Sequence, residues 1–453
     1  SKKKKNPVWS FFASVKLALF LLFILAATSI IGTIIPQNEQ AGLYIQLYGP
    51  NLARLMQTLD ITDMYNSWWF MGLLFVFSVN IIVCSLERIP NAWRLVTMDN
   101  LATDPERLKK MGLRKSVPMD GPPGEAVDNT VSYLKSRGWK PEKRDKNGAT
   151  LLFAQKGRWT RFGVYIVHSS ILIILVGAII GSPRVANNIL GNPAYAFKGS
   201  VMLPEGQQTD AVYSFLEEAG RIPLGFTVRC DYFTIHYYDN GMPKDYLSRL
   251  TVLENGQKVL QKEVEVNEPL IYKGITFYQS SYQPYQDFIL TVTDREEGLT
   301  KRAVVPARQQ LSWEEGGVRF GIINMEVRGE TISRFKIWFT DDQSEPAKFW
   351  LEPGREAVIQ RPSGEYTLSA KQLYATGLQV AKDPGVWWVY IGCGLMLAGL
   401  LVAFFMSHRK LWVLISEENG KTTVLFAGNA NKNKLGFEKT VTALADGLNP
   451  PQR

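Results

Sequence analysis

Four long apolar segments constrain the fold of this chain more than any other feature of its sequence. They cover roughly residues 11–35, 68–86, 162–180 and 386–406. A helix of about 20 apolar residues is needed to cross the hydrocarbon core of a bilayer. The sequence therefore predicts an integral membrane protein with four transmembrane helices. The first segment is longer than the apolar region of a signal peptide, so we interpret it as a retained anchor.

The distribution of basic residues predicts how these helices are oriented. Residues 36–67 contain one basic residue, Arg54, whereas residues 87–161 contain 16 Lys and Arg against 9 Asp and Glu. Residues 183–385 carry 22 basic and 26 acidic residues. Because basic residues concentrate in cytoplasmic segments, we expect 36–67 and 183–385 outside, and 87–161 and both termini in the cytoplasm. The net charge of +9 then reflects membrane orientation, and we expect no nucleic-acid partner.

The segment 183–385 is dominated by short alternating strands and turn signals, which predict a large extracytoplasmic all-β domain, either a sandwich or an open barrel. Turns are expected at Asp239-Asn240-Gly241 and Glu254-Asn255-Gly256. The predicted strands are Phe226–Phe233, Leu247–Leu253, Lys258–Val266, Leu270–Tyr278, Phe288–Thr293, Val318–Val327 and Arg334–Phe339.

Two segments far apart in sequence predict one small cytoplasmic α+β unit. The first offers a strand near Leu113–Met119, a helix near Pro123–Gly138 and strands around Asn147-Gly148; the second, after the last span, offers a hairpin around Asn419-Gly420 and a helix over Leu435–Leu448. The expected order is a cytoplasmic N-terminus with the first helix (1–35), an external loop (36–67), the second helix (68–86), the α+β unit (87–161), the third helix (162–182), the β domain (183–385), the fourth helix (386–406) and the tail completing the α+β unit (407–453).

Few motifs indicate chemistry. There is no nucleotide-binding glycine loop, no G-x-S-x-G and no H-E-x-x-H, which disfavours hydrolases and nucleotide-driven machines. Cys84 and Cys393 lie in predicted spans and Cys230 stands alone in the β domain, so we expect no disulfide and no thiolate metal site.

His168, within the third apolar segment, is the strongest candidate for a functional residue, because ionisable groups in the hydrocarbon zone are costly. At 100° per residue, the small residues Gly163, Ser170, Gly177 and Gly181 form a stripe on the opposite side of the helix, which we predict to be its packing face. Leu172, Leu175 and Ile179 lie on the histidine side. A haem iron would satisfy this imidazole; the alternative is a hydrogen bond to a neighbouring helix, for example to Asn80 or Ser78.

The other two histidines are weaker candidates. His408 lies at the expected cytoplasmic edge of the fourth helix, where a polar side chain that reaches the interface is ordinary; we keep it as a second candidate haem ligand. His236 lies in a predicted strand and is expected at the surface. Asn80 is expected to hold helices together.

Several local sequences, in the same order and with the same topology, resemble the ResB family of the type II cytochrome c maturation system. The resemblance spans nearly the whole chain. The segments that carry it are 32–37 (GTIIPQ), 67–70 (SWWF), 84–90 (CSLERIP), 167–169 (VHS), 266–274 (VNEPLIYKG), 278–282 (YQSSY), 383–385 (DPG) and 404–409 (FFMSHR).

The resemblance implies a subunit of the bacterial inner membrane that works with a CcsA/ResC-type membrane subunit to bring haem across the bilayer and attach it to apocytochrome c. It implies non-covalent, transient binding of haem b with His168 as the axial ligand, and thioredoxin-like thiol-reducing proteins as further partners. The chain contains no tryptophan-rich haem loop and no pair of external histidines, features that belong to the partner in this family. We therefore expect a part of a holocytochrome c synthase that is catalytically incomplete alone. The alternative is a membrane-anchored sensor or interaction protein with a peptide-binding outer β domain.

Overall fold

The computed structural model describes residues 6–146, 148–238, 242–328, 331–418 and 420–448. The predicted turn Asp239-Asn240-Gly241 lies outside these residues, as do the asparagines of the predicted turns at 147–148 and 419–420. The chain forms two compact units, one made of residues 1–176 and 388–453 and the other of residues 177–387.

The helices of the described residues are α1 (Pro7–Phe12), α2 (Val15–Ile34), α3 (Ala41–Tyr48), α4 (Pro50–Thr58), α5 (Trp68–Thr97), α6 (Pro105–Lys109), α7 (Pro123–Ser136), α8 (Gly163–Ile180), α9 (Pro183–Asn188), α10 (Val386–Phe405) and α11 (Lys434–Leu448). Four helices in the described ranges are long and apolar enough to cross a membrane: α2, α5, α10, and α8 together with the 3-10 turn before it. They coincide with the four predicted segments.

Two details of these helices differ from the expectation. The helix that contains the second span continues past residue 86, through Pro90, to Thr97, so the first residues assigned to the α+β unit are helical. The first apolar segment is broken between α1 and α2. Asn80 of α5 is fully buried at this break, and its Nδ2 donates to the carbonyl oxygens of Phe12 at 2.6 Å and Ser14 at 3.2 Å. Asn80 thus holds helices together, as predicted.

The strands are β1 (Arg114–Met119), β2 (Glu142–Lys146), β3 (Ala149–Lys156), β4 (Phe197–Pro204), β5 (Gln208–Ser214), β6 (Arg221–Tyr237), β7 (Pro243–Glu254), β8 (Gln257–Val264), β9 (Leu270–Tyr272), β10 (Ile275–Asp294), β11 (Thr300–Pro306), β12 (Gln310–Trp313), β13 (Val318–Arg328), β14 (Thr331–Thr340), β15 (Ala347–Leu351), β16 (Glu356–Arg361), β17 (Gly364–Lys382), β18 (Arg409–Glu418) and β19 (Lys421–Ala430).

The two distant segments of the first unit form one antiparallel sheet in the order β1-β19-β18-β3-β2. The hairpin β18–β19 lies in the middle and contributes the central strands. One face of the sheet packs on α7 and α11 through a core that contains Leu134, Leu152, Val413, Phe426 and Phe437. Both segments contribute residues to this one core.

The sheet is joined to the membrane helices by very short connections. Strand β3 leads into α8 through Gly157 and the 3-10 turn Arg158–Phe162, and α10 leads into β18 through Ser407 and His408. Gly157 has φ +69°, and a Cβ atom there would lie 2.5 Å from the Ser407 carbonyl oxygen. Only glycine fits both the backbone conformation and this contact. The paired strands β3 and β18 therefore continue directly into the pair of helices.

In the second unit, strands β10 and β17 are paired along most of their length and cross two separate cores. The first core contains Phe277 and Val380 from these strands and is surrounded by strands of one long sheet, in the order β11-β10-β17-β4-β5-β6-β7-β8. The second core contains Leu290 and Leu368 and lies against a four-stranded sheet of β12 to β15. The second core thus lies between two sheets, which form a sandwich. Both sheets belong to an all-β domain, as predicted.

Two predicted strands had wrong boundaries. The segment Leu270–Tyr278 is interrupted at Lys273-Gly274, both with positive φ, and divides into β9 and the start of β10. The predicted strand Phe288–Thr293 is the far end of that same β10, because the ladder continues past Pro284 with a register shift before Phe288.

A buried carboxylate connects strands of this β domain. The Glu205 side chain, which follows β4, is almost fully buried and forms ion pairs with Arg302 of β11 and with Lys371 of β17. It also accepts a hydrogen bond from the Phe233 backbone N–H at 3.0 Å. Since a buried charge is tolerated only with such partners, Glu205 fixes the positions of strands around it.

Candidate functional site

The small-residue stripe of α8 packs on α10, as predicted. A Cβ atom on Gly163 would lie 2.8 Å from the Ala403 backbone N, and one on Gly392 of α10 would lie 3.0 Å from the Ser170 carbonyl oxygen. In the second unit, the Gly177 carbonyl oxygen lies against Gly385 in the same way. Such contacts bring two helix backbones together, so the opposite side of α8 is left for His168.

His168 faces α5, where its Nδ1 lies 2.8 Å from Ser85 Oγ. The alternative of a hydrogen bond to a neighbouring helix is therefore observed, although neither suggested partner provides it: Ser78 donates to the Leu74 carbonyl oxygen and Asn80 to the break between α1 and α2. Leu172 packs against the cluster of α2 and α5, so the histidine side of α8 is partly covered by the chain's own helices.

The Ser85 contact leaves one ring nitrogen of His168 for a ligand. In the tautomer that carries the proton on Nδ1, this proton is donated to Ser85 Oγ and the Nε2 lone pair is available. No hydrogen bond from Nε2 to any of the described residues is present. Imidazoles that bind metals are commonly held in this way, through a hydrogen bond from the other nitrogen.

The His168 ring is also in contact with one aromatic side chain of α8, that of Tyr165. Its centroid lies 6.4 Å from that of Tyr165, in an edge-on arrangement, and Tyr165 lies 6.0 Å from Phe162. Residues at this spacing of three lie above one another on a helix. The histidine is thus the deepest member of an aromatic row that starts at the end of the helix.

His408, the second candidate ligand, is buried at the junction of α10 and β18 and uses both ring nitrogens. Its Nδ1 accepts a hydrogen bond from Arg161 Nε at 2.9 Å, and its Nε2 lies 2.9 Å from Gln155 Oε1. Burial, with Arg161 and Lys410 nearby, lowers the pKa of His408 to about 4, so the ring is neutral at pH 7. In this arrangement neither ring nitrogen has a free lone pair for iron, and our proposed haem site leaves His408 out.

The remaining histidine and the three cysteines lie apart from the His168 contact with Ser85. His236 lies in β6 and is exposed. All three cysteines are free: Cys84 and Cys230 are buried and Cys393 is partly buried. Burial raises the pKa of the Cys230 thiol to about 12, so this thiol is unreactive at pH 7. In the described ranges no three His, Cys, Asp or Glu side chains are grouped to hold a metal ion.

A cavity of about 290 Å³ lies one helical turn from His168, where α5, α8 and α10 meet the α+β unit. Arg88, Arg161, Tyr165, Ala403 and Lys432 are among its lining residues. No sequence pattern indicated this cavity, since its lining residues come from four distant segments. The only signal was Arg88 at three residues after Ser85, which places both on one face of α5.

Comparison with known proteins identifies the family of this chain. The profile of the ResB-like family matches residues 15–331 and 329–442. A protein of Gloeobacter violaceus named cytochrome c biogenesis protein CcsB is 28% identical, with 99% of this chain and 92% of the relative covered. The protein of the same name from Thermosynechococcus vestitus is 26% identical, with 98% and 97% covered. This chain, whose described residues include four helices able to span a membrane and a large β domain, therefore belongs to the ResB-like family.

Proposed function

We propose that this protein acts in cytochrome c biogenesis and that it binds haem b, transiently and without a covalent bond, through His168. The relatives named cytochrome c biogenesis proteins CcsB support the process. The observation that carries the haem site is the geometry of His168: Nδ1 is held by Ser85 at 2.8 Å, and Nε2 has no hydrogen-bond partner in the described part of the chain.

This environment fits a haem iron better than other metals. A porphyrin supplies the equatorial ligands of its iron, so the protein needs to provide only an axial group, and a single imidazole suffices. The aromatic side chains of Phe162 and Tyr165, next to His168, offer apolar contacts for the macrocycle. Ser85 Oγ accepts a hydrogen bond from Nδ1–H. This bond orients the ring and raises the basicity of Nε2, the nitrogen that would bind iron.

In this proposal the chain receives haem on the cytoplasmic side of the bacterial inner membrane and moves it outward with a CcsA/ResC-type subunit. The α+β unit is cytoplasmic, and the β domain lies outside, where apocytochrome c and thioredoxin-like thiol-reducing proteins act. Attachment of haem to apocytochrome c requires the complex with the partner. The excess of basic residues in 87–161 supports this orientation. A reporter fused at residue 130 or at residue 300 tests it: external activity at 130, or none at 300, would refute the orientation.

Substitution of His168 tests the haem site. We expect His168→Ala to insert and fold but to purify with much less haem per protein, measured from the Soret band and the pyridine haemochrome. Ser85→Ala should lower haem content to a smaller extent, because the imidazole remains but loses its orientation. The matched control is His236→Ala, which removes an exposed histidine of the β domain and should leave haem content unchanged. Equal haem content in all variants would exclude His168 as a ligand, and a colourless wild-type protein would favour the sensor alternative.

A further inference from the structure

The cavity next to His168 is positively charged and has no acidic residue in its lining. Arg88 comes from α5, Arg161 from the turn before α8, and Lys432 follows β19. None of the ion pairs found in the described residues involves any of these three side chains. Cations left unpaired around a cavity provide a site for an anion.

A fourth cation and a neutral histidine complete this environment. Lys410 is buried, and its Nζ donates to Asn100 Oδ1 at 2.8 Å instead of pairing with a carboxylate. His408 accepts from Arg161 Nε at 2.9 Å, which leaves the two terminal NH₂ groups of the guanidinium for a ligand. An arginine held in this way presents a planar pair of donors that matches a carboxylate.

The position of the cavity relates its ligand to His168. Tyr165 lines the cavity, and its ring touches that of His168. On the facing helix, Arg88 follows Ser85 by three residues, a rise of about 4.5 Å. The cavity has a volume of about 290 Å³ and a lining rich in hydrogen-bond donors. It can hold the short polar arms of a ligand whose flat body lies deeper, against the aromatic row.

We propose that this cavity binds the propionate carboxylates of the haem whose iron is held by His168, with Arg88, Arg161 and Lys432 as the anion-binding residues and His408 as the positioning residue for Arg161. This inference rests on the proposed function. It follows from the amphipathic character of haem, because carboxylates in the hydrocarbon zone are costly. The three cations lie near the N-terminal end of α8, and His168 lies about one turn further along that helix.

Haem and haem dimethyl ester distinguish this proposal from the haem site itself, because the ester keeps the iron and macrocycle but lacks the charges. Haem-depleted protein in nanodiscs of zwitterionic lipid is titrated with each ligand, and the dissociation constant is read from the Soret band. We expect wild type to bind haem about tenfold more tightly than the ester. Arg88→Gln with Lys432→Gln should abolish this preference, mainly by weakening haem. Lys143→Gln with Lys439→Gln, which makes the same charge change at exposed positions of β2 and α11 that do not line the cavity, should preserve it.

His408→Ala tests the positioning role, and we expect it to reduce the preference for haem over the ester while the ester still binds. Equal affinities of wild type for haem and its ester would overturn the inference and leave the His168 proposal intact. The inference would also fail if the double variant kept the preference but lost co-purified anionic phospholipid, since the cavity would then hold a lipid headgroup. Failure of wild type to bind either ligand would overturn the proposed haem function together with this inference.

Discussion

The contact between α8 and α10 allows a sharp prediction, because two glycines of α10, Gly392 and Gly394, are close in sequence but differ in what an added side chain would meet. A Cβ atom on Gly392 would lie 2.5 Å from Ile174 Cγ1, 3.0 Å from the Ser170 carbonyl oxygen and 3.2 Å from the Ile174 backbone N. A Cβ atom on Gly394 would have no atom within 4 Å. Gly392→Ala therefore forces the helices apart, and Gly394→Ala does not.

The magnitude follows from these distances. Ordinary contacts between carbon atoms are about 3.5–4.0 Å, so the Ile174 side chain must move by about 1 Å, and the backbone atoms of Ser170 and Ile174, at 3.0 and 3.2 Å, must move by a few tenths of an ångström. Overpacking of this kind costs about 1–3 kcal/mol, and the better helix propensity of alanine offsets up to ~1 kcal/mol. We expect Gly392→Ala to lower the free energy of unfolding by about 1 kcal/mol, and Gly394→Ala to be neutral or slightly stabilising.

Thermal unfolding of both variants in the same detergent, followed by size-exclusion chromatography, measures the difference. The amount of folded protein should fall for Gly392→Ala, whereas haem per folded protein should stay near the wild-type value, because His168 is on the other side of α8. His168→Ala should show the reverse. Equal melting temperatures for the two glycine variants would refute the close approach. Equal losses of folded protein in Gly392→Ala and His168→Ala would refute the assignment of separate roles to the two faces.

Three further predictions concern the units outside the membrane helices. The pKa of His408 is lowered from 6.5 to about 4, so its contribution to stability is present above pH 6.5 and is lost as pH falls towards 4; this pH dependence, about 3 kcal/mol, should disappear in His408→Gln when unfolding is measured across that range. Glu205→Gln should lower the unfolding free energy of the protein by about 2 kcal/mol, since two partly exposed cations lose their buried partner, whereas Glu263→Gln, at an exposed ion pair, should change it by less than about 1 kcal/mol. Cys230, buried and with its pKa raised to about 12, should resist alkylation by iodoacetamide at pH 8 until denaturant is added, and rapid labelling of the native protein would contradict its burial.

Sequence patterns predicted the parts of this fold in which local signals agree with the final structure. The four spans, the α+β unit and the strands with regular alternation belong to this class. Strand β17 was not predicted, because small and polar residues such as Ala370, Lys371 and Gln372 weaken its apolar pattern, although its pairing with β10 makes it central. The continuity of β10 was hidden by Pro284, which usually interrupts a strand and is accommodated here by a register shift.

In the candidate site, too, only the features that depend on local sequence could be predicted. The helical period correctly predicted that His168 faces away from the small-residue stripe, because both belong to one helix. Its contact with Ser85 could not be predicted, since a helical wheel says nothing about the rotation of the neighbouring helix. The basic cavity could not be predicted either. Arg161 and His408 meet only because β3 and β18 pair, and no local sequence pattern indicates that pairing.

The order of strands in the α+β unit has a consequence for biosynthesis. Gln155 and His408 are 253 residues apart in sequence and hydrogen-bonded in the structure, and the hairpin β18–β19 separates β1 from β3. During translation, β1, β2 and β3 are synthesised long before β18 and β19, which lie between them in the sheet. Their apolar faces therefore stay incompletely covered until this hairpin has been made, after the β domain and α10. The His408–Arg161 contact can form only when that hairpin has been inserted. A ribosome that stalls within the β domain would therefore release a chain with unpaired strand edges, and we expect cellular proteases to remove such fragments quickly.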